Sequence, residues 1–292
     1  MKLGLFTCGY QRYGLERAFA DARRFGYDYI ELWGGYPHAA VEDLTARGGP
    51  GRGAADRAAE RIAGIRALAQ RYGVPVLCYT PEHNGYPYNY MDGDEDQWER
   101  CMEYLEDAID ITAALGAPYM LFSAGHAGYE RTQARIDERL KKSLIRLTGH
   151  AESAGVTLIL EPLTIYESNV VRNLGDLERA LSCVVSPHLM GMVDLAVPFT
   201  NGEPAAAYVT RLGGRFGYLH LIDNDGVSDS HILPGDGCLP LREVLAQIRE
   251  AGYDGLMTIE LVTGYLKEPS AYAKIAVDRV REMLKEQQGG AR

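Results

Sequence analysis

Cysteine is scarce and scattered. Cys8, Cys78, Cys101, Cys183 and Cys238 are odd in number and form no CxxC pair, so no disulfide framework is indicated. No stretch approaches the roughly 18 unbroken apolar residues of a membrane helix. The start, Met1 to Cys8, holds too few apolar residues for the roughly 7–15 of a secretory core. Together these absences point to the cytosol and away from a membrane. There is no Lys/Arg-rich run, and the net charge is −10. Phosphate backbones need a basic surface, so nucleic acid is excluded as the main partner. Glycine clusters only at Gly48-Gly-Pro-Gly-Arg-Gly53, which lacks a GK[ST] ending and does not directly follow a strand. It reads as a loop, not as a phosphate cradle.

What is present is an alternation. Short apolar runs lie at Leu3–Cys8, Tyr29–Trp33, Val74–Thr80 and Tyr119–Ser123, then at Thr157–Glu161, Leu189–Asp194, Tyr218–Asp223 and Leu256–Leu261. Between them, Leu15–Phe25, Arg57–Tyr72, Gln97–Leu115 and Gln133–Ala154 carry apolar residues at the three- and four-residue spacing of amphipathic helices. Four helices end at a Gly just before the next strand, namely Gly26, Gly73, Gly116 and Gly155, the usual position of a left-handed cap. Eight strands with intervening helices and little left over is the count of a (β/α)8 TIM barrel. A doubly wound open sheet would have fewer strands and a dinucleotide or P-loop fingerprint. With 46% apolar residues and no linker, residues 1–292 read as a single domain.

In such a barrel the active site gathers at the carboxyl ends of the strands. Four successive strands end in a metal-binding residue type: Glu161, Asp194, His220 within Leu-His-Leu, and Glu260. A lone strand-end carboxylate is more often a helix cap, and a lone His in an apolar run is as often a satisfied core residue. The conjunction argues for a metal site, because carboxylates directly after apolar strands are costly to bury unless paired or ligated. Three carboxylates and an imidazole suit one hard or borderline divalent ion with open positions. Mn²⁺, Co²⁺ and Ni²⁺ are the expected ions. Two glutamates at one metal also suggest a reaction. If Glu161 and Glu260 flank a bound sugar, one removes a proton beside the carbonyl and the other returns it on the opposite face. That outcome is epimerisation; return to the carbonyl carbon would give aldose–ketose isomerisation.

Longer segments carry a resemblance. Ile30-Glu-Leu-Trp-Gly-Gly35, Tyr79-Thr-Pro-Glu82, Leu160-Glu-Pro-Leu-Thr164, Tyr166-Glu-Ser-Asn-Val170, Met192-Val-Asp194 and Ile259-Glu-Leu-Val-Thr263 are among segments spread over nearly the whole chain. They resemble the sugar isomerase/epimerase superfamily of xylose-isomerase-like barrels, and within it the ketose 3-epimerases. The resemblance implies Glu161, Asp194, His220 and Glu260 as ligands, with Glu161 and Glu260 as the catalytic pair. It implies that Glu167 binds a substrate hydroxyl, and that the enzyme is a homo-oligomer acting on a small-molecule sugar. Related ketohexose enzymes carry an Arg where His231 precedes Pro234-Gly235, and a His where this chain has Val197. Those departures fit a ketose whose far end is recognised differently, such as an amine-linked ketose.

Aromatic and imidazole side chains complete the candidate set. Trp33 ends the second strand and is expected in the sugar pocket. Tyr79, Tyr86, Tyr88 and Tyr90 follow the third strand and read either as a wall over the sugar or as a subunit contact. His38 and His126 sit in loops at the same mouth and are candidate substrate contacts. Two other functions compete. One is an isomerase or epimerase of another small sugar or sugar acid. The other is a multi-zinc phosphodiesterase acting on abasic DNA, which needs more strand-end histidines and a basic groove than seven mostly loop-borne histidines and an acidic chain offer.

Overall fold

The chain was analysed as a computed structural model, which describes all residues except 46, 48–52, 86–87 and 290–292. Most of the glycine-rich run therefore lies outside the described residues, as does Tyr86. Eight parallel strands close into a barrel in sequence order: β1 (Lys2–Phe6), β2 (Tyr29–Gly34), β3 (Val76–Pro81), β4 (Tyr119–Ser123), β5 (Thr157–Glu161), β6 (Leu189–Asp194), β7 (Phe216–Leu221) and β8 (Leu256–Ile259). β1 pairs with both β2 and β8, which closes the ring and removes every free edge.

Ten helices wrap the barrel among the described residues: α1 (Leu15–Phe25), α2 (Val41–Leu44), α3 (Ala54–Tyr72), α4 (Glu95–Leu115), α5 (Gln133–Ala154), α6 (Leu174–Ser182), α7 (Ala196–Asn201), α8 (Ala205–Leu212), α9 (Leu241–Glu250) and α10 (Pro269–Gly289). The four glycine caps adopt the expected left-handed backbone, with φ of 80°, 63°, 77° and 70° at Gly26, Gly73, Gly116 and Gly155. At Gly116 the cap N–H returns to the carbonyls of Ala113 and Thr112, satisfying groups the helix end leaves open. The start of α4 is fixed by a capping box: the Asp94 carboxylate accepts from the Gln97 N–H at 2.8 Å, and the Asp94 N–H donates back to the Gln97 side chain at 2.8 Å.

Two apolar layers follow from strand alternation. Ile30, Leu32, Leu158 and Leu160 point outward into the main core beneath the helices. Tyr29, Cys78, Leu121, Ile159, Met192 and Tyr218 point inward and fill the barrel. The interior is tight: a side chain at Gly4 would meet the Tyr29 ring at 2.3 Å. The expected strand limits hold to within two residues, and β7 spans Phe216–Leu221 where the sequence predicts Tyr218–Asp223. Thr7–Tyr10 is a short 3-10 helix and not the end of β1. β3 begins two residues later than expected, because Val74 accepts the helical pattern of its cap and donates to Ala69 at 3.1 Å. Glu260 lies one residue past β8, tied there by its N–H to the Leu221 carbonyl at 3.3 Å. No helix among the described residues is long and apolar enough to cross a membrane.

Candidate active site

The carboxyl ends of the strands open into a cavity of about 590 Å³. Its floor holds Glu161 from β5, Asp194 from β6, His220 from β7 and Glu260 just past β8. One ligand atom from each of the four lies within 4.8 Å of the other three. The cluster converges because Glu161, Asp194 and His220 occupy the last inward positions of their strands and Glu260 continues the inward alternation just past β8, so the barrel's own curvature aims them at one point.

His220 is held in a defined orientation from behind. Its Nε2 lies 3.1 and 3.0 Å from the two oxygens of Glu31, on the inner face of β2. A carboxylate only accepts, so Nε2–H donates to Glu31 and Nδ1 faces the cavity, where a bound cation would take the place of a proton on it. Glu31 is fully buried and also accepts from Thr80 Oγ1 at 2.7 Å and the Tyr218 hydroxyl at 2.9 Å. The free Nδ1 lies 2.9 Å from Glu260, 3.1 Å from Glu161 and 3.8 Å from Asp194. On the other side, Asp194 Oδ1 accepts from the Ala196 N–H at 2.6 Å, which aims Oδ2 inward. His220 Nδ1 and Asp194 Oδ2 are buried without a hydrogen-bond partner. Orphaned buried acceptors are expensive unless something cationic satisfies them. Three carboxylate residues and one imidazole lone pair of this kind fit a divalent ion.

The electrostatics show the strain of this crowding. Burial raises Asp194 to about 7, and burial likewise raises Glu161 despite the opposing pull of His220. At Glu260 burial is outweighed by His231 and His220, which draw it down to about 2. His231 sits 3.4 Å from Glu260; burial opposes its charge, but Glu260, Asp194 and Asp229 hold it up to about 9. Cys8 lines the same cavity, and burial followed by the charge of Glu260 keeps it a thiol.

The expected substrate contacts divide. Glu167, His231 and Trp33 all line the cavity. Glu167 stands at the exposed rim, and the Trp33 Nε1–H donates to Glu82 at 2.6 Å. Tyr79 and His126 are corrected. Tyr79 lies between two inward residues of β3, Cys78 and Thr80, so alternation turns it out into the core. It is fully buried there and donates to the Ala39 carbonyl at 2.7 Å. His126 is turned away by its own loop: Nδ1 accepts from the Gly128 N–H at 3.0 Å and the ring packs edge-on to Tyr129. Neither is among the residues lining the cavity. His38 also stays outside it, donating through Nε2 to the Tyr13 carbonyl at 3.0 Å beneath Trp33. None of the described tyrosines of this group, Tyr79, Tyr88 and Tyr90, lines the cavity. Tyr90 is buried in the core, and Tyr88 stacks on Tyr104 at 3.7 Å in a neighbouring cavity of about 230 Å³.

Sequence reasoning missed several residues in and behind the cavity. Glu31 is the main one among the supporting groups, and its signal was a carboxylate inside an apolar strand. His83 is held neutral: Nδ1–H donates to the Pro81 carbonyl at 2.9 Å, and Nε2 accepts from the Ser123 N–H at 3.0 Å. Asn84 has a positive φ of 81° and meets the Ser123 hydroxyl. Asp229 reaches the cavity from the loop after β7. That loop is braced by buried Asp223, which accepts from the backbone N–H groups of Gly235, Gly237 and Leu239 at 2.9–3.0 Å. The multi-zinc reading finds no support among the described residues: a single four-residue group could hold a metal ion, and no Lys or Arg lines the cavity.

Comparison with known proteins agrees with this geometry. The sequence pattern described as "Xylose isomerase-like TIM barrel" matches residues 19–283. Fructoselysine 3-epimerase from Shigella flexneri is 47% identical over 98% of this chain and 99% of its own. The protein of that name from Escherichia coli O157:H7 gives the same identity and coverage. Among solved structures, a D-tagatose 3-epimerase-like protein superposes with a TM-score of 0.81 at 19% identity, covering 100% of both chains.

Proposed function

The chain belongs to the xylose isomerase-like TIM barrel family and is an isomerase of the carbohydrate epimerase kind, and on that premise we propose that it is a divalent-metal-dependent ketose 3-epimerase interconverting fructoselysine and its C3 epimer, psicoselysine. The observation that carries this reading is the placement of Glu161 and Glu260. Their carboxylates approach one imidazole nitrogen, His220 Nδ1, at 3.1 and 2.9 Å from different strands, so both face the same small volume. The identity of the two curated relatives supplies the sugar.

Glu161, Asp194, His220 and Glu260 would hold the ion. When bound, it supplies Lewis-acid polarisation of the ketone oxygen at C2. The proton transfers belong to the chain's own residues. One glutamate takes the proton from C3, and the electrons of that C–H bond move into the carbonyl to give an enediolate. The other glutamate delivers a proton to the opposite face of C3, and the carbonyl re-forms with inverted configuration. One carboxylate gains the proton that the other loses, so exchange with solvent resets the pair between turnovers. Glu31 keeps His220 in the tautomer that offers Nδ1 inward, and Trp33, Glu167 and His231 position the sugar. Val197 and His231, in place of the His and Arg of ketohexose enzymes, leave room for a substituent on the ketose. A homo-oligomer in the cytosol is part of the same reading.

The test is incubation of the purified enzyme with fructoselysine, followed by NMR of C3. Accumulation of the C3 epimer supports the reading; an unchanged substrate in the presence of Mn²⁺, Co²⁺ or Ni²⁺ overturns it. Sedimentation or light scattering checks the oligomer.

A further inference from the structure

The cavity carries more negative charge than its metal cluster explains. Six carboxylates line it (Glu82, Glu161, Glu167, Asp194, Asp229 and Glu260), and among the described residues no Lys or Arg does. Burial holds the His83 imidazole below its ordinary value. A divalent ion answers to Glu161, Asp194 and Glu260. Glu82 is engaged by the indole of Trp33. Glu167 and Asp229 remain. Their side chains form no hydrogen bond or ion pair with a described residue, and the nearest cationic candidate, His231, is already 3.4 Å from Glu260. The two carboxylates repel one another: after burial, Asp229 is the largest influence raising Glu167. Such an arrangement is unfavourable for a sugar phosphate or sugar acid.

A second feature flanks the same two residues. Ile165 and Tyr166 precede Glu167, Val227 lies two residues before Asp229, and all three side chains are exposed, at 60%, 59% and 73%. The Tyr166 hydroxyl donates to the Val227 carbonyl at 2.5 Å, joining the two loops into one apolar shelf at the rim. Large apolar side chains held in water beside carboxylates that no described cation contacts directly match a ligand with an ammonium and an alkyl chain.

We propose that Asp229, together with Glu167, binds the secondary ammonium that an amine-linked ketose carries on C1, with the aliphatic chain lying along Ile165, Tyr166 and Val227. This rests on the ketose 3-epimerase reading and identifies the feature that selects aminoketoses over plain ketoses. Asp229 stands on a loop whose base is fixed by the antiparallel bridge between Asp223 and Ile232, at 2.9 and 2.7 Å.

The experiment compares two isosteric probes, 1-deoxy-1-(butylamino)fructose and 1-O-butylfructose, which differ only in the charge at the linking atom. Dissociation constants are read by calorimetry on the metal-loaded enzyme, and C3 exchange is read separately by NMR. Wild type is expected to bind the amine more tightly than the ether by about tenfold, the typical size of one charge-assisted contact. That preference should shrink as salt rises, because the rim is partly open to water. In Asp229→Asn the amine-to-ether ratio should fall to about threefold or less. An unfolded variant would be exposed by loss of ether binding, and Asp229→Glu, which keeps the charge, should then restore the preference. Equal binding of both probes by wild type overturns the proposal. So does a preference that survives in Asp229→Asn, which would place amine recognition elsewhere, for instance beside Glu42 and Tyr88 in the neighbouring cavity. Absence of C3 exchange on every probe would instead overturn the epimerase reading, while the binding ratio still decides the role of Asp229.

Discussion

Replacing Glu31 with Gln removes one acceptor from a site where three donors meet. Glu31 Oε1 serves Thr80 Oγ1 and His220 Nε2, and Oε2 serves the Tyr218 hydroxyl and the same Nε2. The Gln amide keeps one acceptor oxygen and turns the other into an NH2. Thr80 and Tyr218 can adapt, since a hydroxyl both donates and accepts, and Tyr218 already lies 2.6 Å from Thr258 Oγ1. The imidazole cannot adapt without cost: an NH2 facing Nε2–H opposes donor to donor. His220 must either tilt toward the remaining oxygen or shift its proton to Nδ1, the atom that faces the metal cluster. Such supporting partners typically contribute about 10–100-fold in metal affinity, and weakening rather than deleting the contact places E31Q near tenfold. The buried mismatch adds about 1–2 kcal/mol of instability. Metal affinity, from competition with a chromophoric chelator, should therefore drop about tenfold. The melting temperature should fall by several degrees. Excess metal should recover most of kcat, because Glu31 touches neither substrate nor ion. E31Q with wild-type metal affinity and wild-type melting would refute the view that Glu31 fixes the His220 tautomer.

Four further outcomes follow from the same geometry. Prolonged chelation should abolish turnover, with recovery on adding Mn²⁺, Co²⁺ or Ni²⁺; full activity in a preparation verified metal-free by mass spectrometry would contradict the metal site. Tyr79→Phe should leave KM for the ketose within about twofold and cost about 1 kcal/mol in chemical denaturation, because only the bond to the Ala39 carbonyl is lost; a large rise in KM would return Tyr79 to the substrate pocket. His126→Ala should likewise leave KM within about twofold. Asp94→Ala should remove the α4 capping box and cost about 1 kcal/mol, or roughly 1.5 °C in melting temperature for a domain of this size, with kcat unaffected.

The barrel and its four-residue cluster were legible because both rest on periodicity. Alternating apolar strands announce their ends, and a barrel sends consecutive strand ends to one place, so Glu161, Asp194, His220 and Glu260 could be assembled without coordinates. Tyr79 shows how the same rule is lost when residues are judged by type alone. Its strand parity, opposite to Cys78 and Thr80, already turned it outward. Glu31 was visible as a carboxylate between Ile30 and Leu32, yet nothing local said which donors it would meet. Two of them, Tyr218 and His220, lie 187 and 189 residues away. His83, Asn84 and Asp229 sit in irregular loops, where no period connects sequence to direction. His126 shows the reverse, a loop residue at the right mouth whose own turn, closed by the Gly128 N–H, points it aside.

The central claim is that Glu161 and Glu260 serve opposite faces of C3. Changing either to Gln keeps a ligand oxygen and nearly the same volume but removes the base, which typically costs about 10²–10⁴-fold. With one glutamate gone, the other still takes and returns a proton on its own face. In deuterated water, Glu161→Gln and Glu260→Gln should each exchange the C3 hydrogen of one epimer of fructoselysine without inverting it, and the two variants should choose opposite epimers. Exchange of the same epimer by both, or inversion by either at near the wild-type rate, would contradict the two-base account.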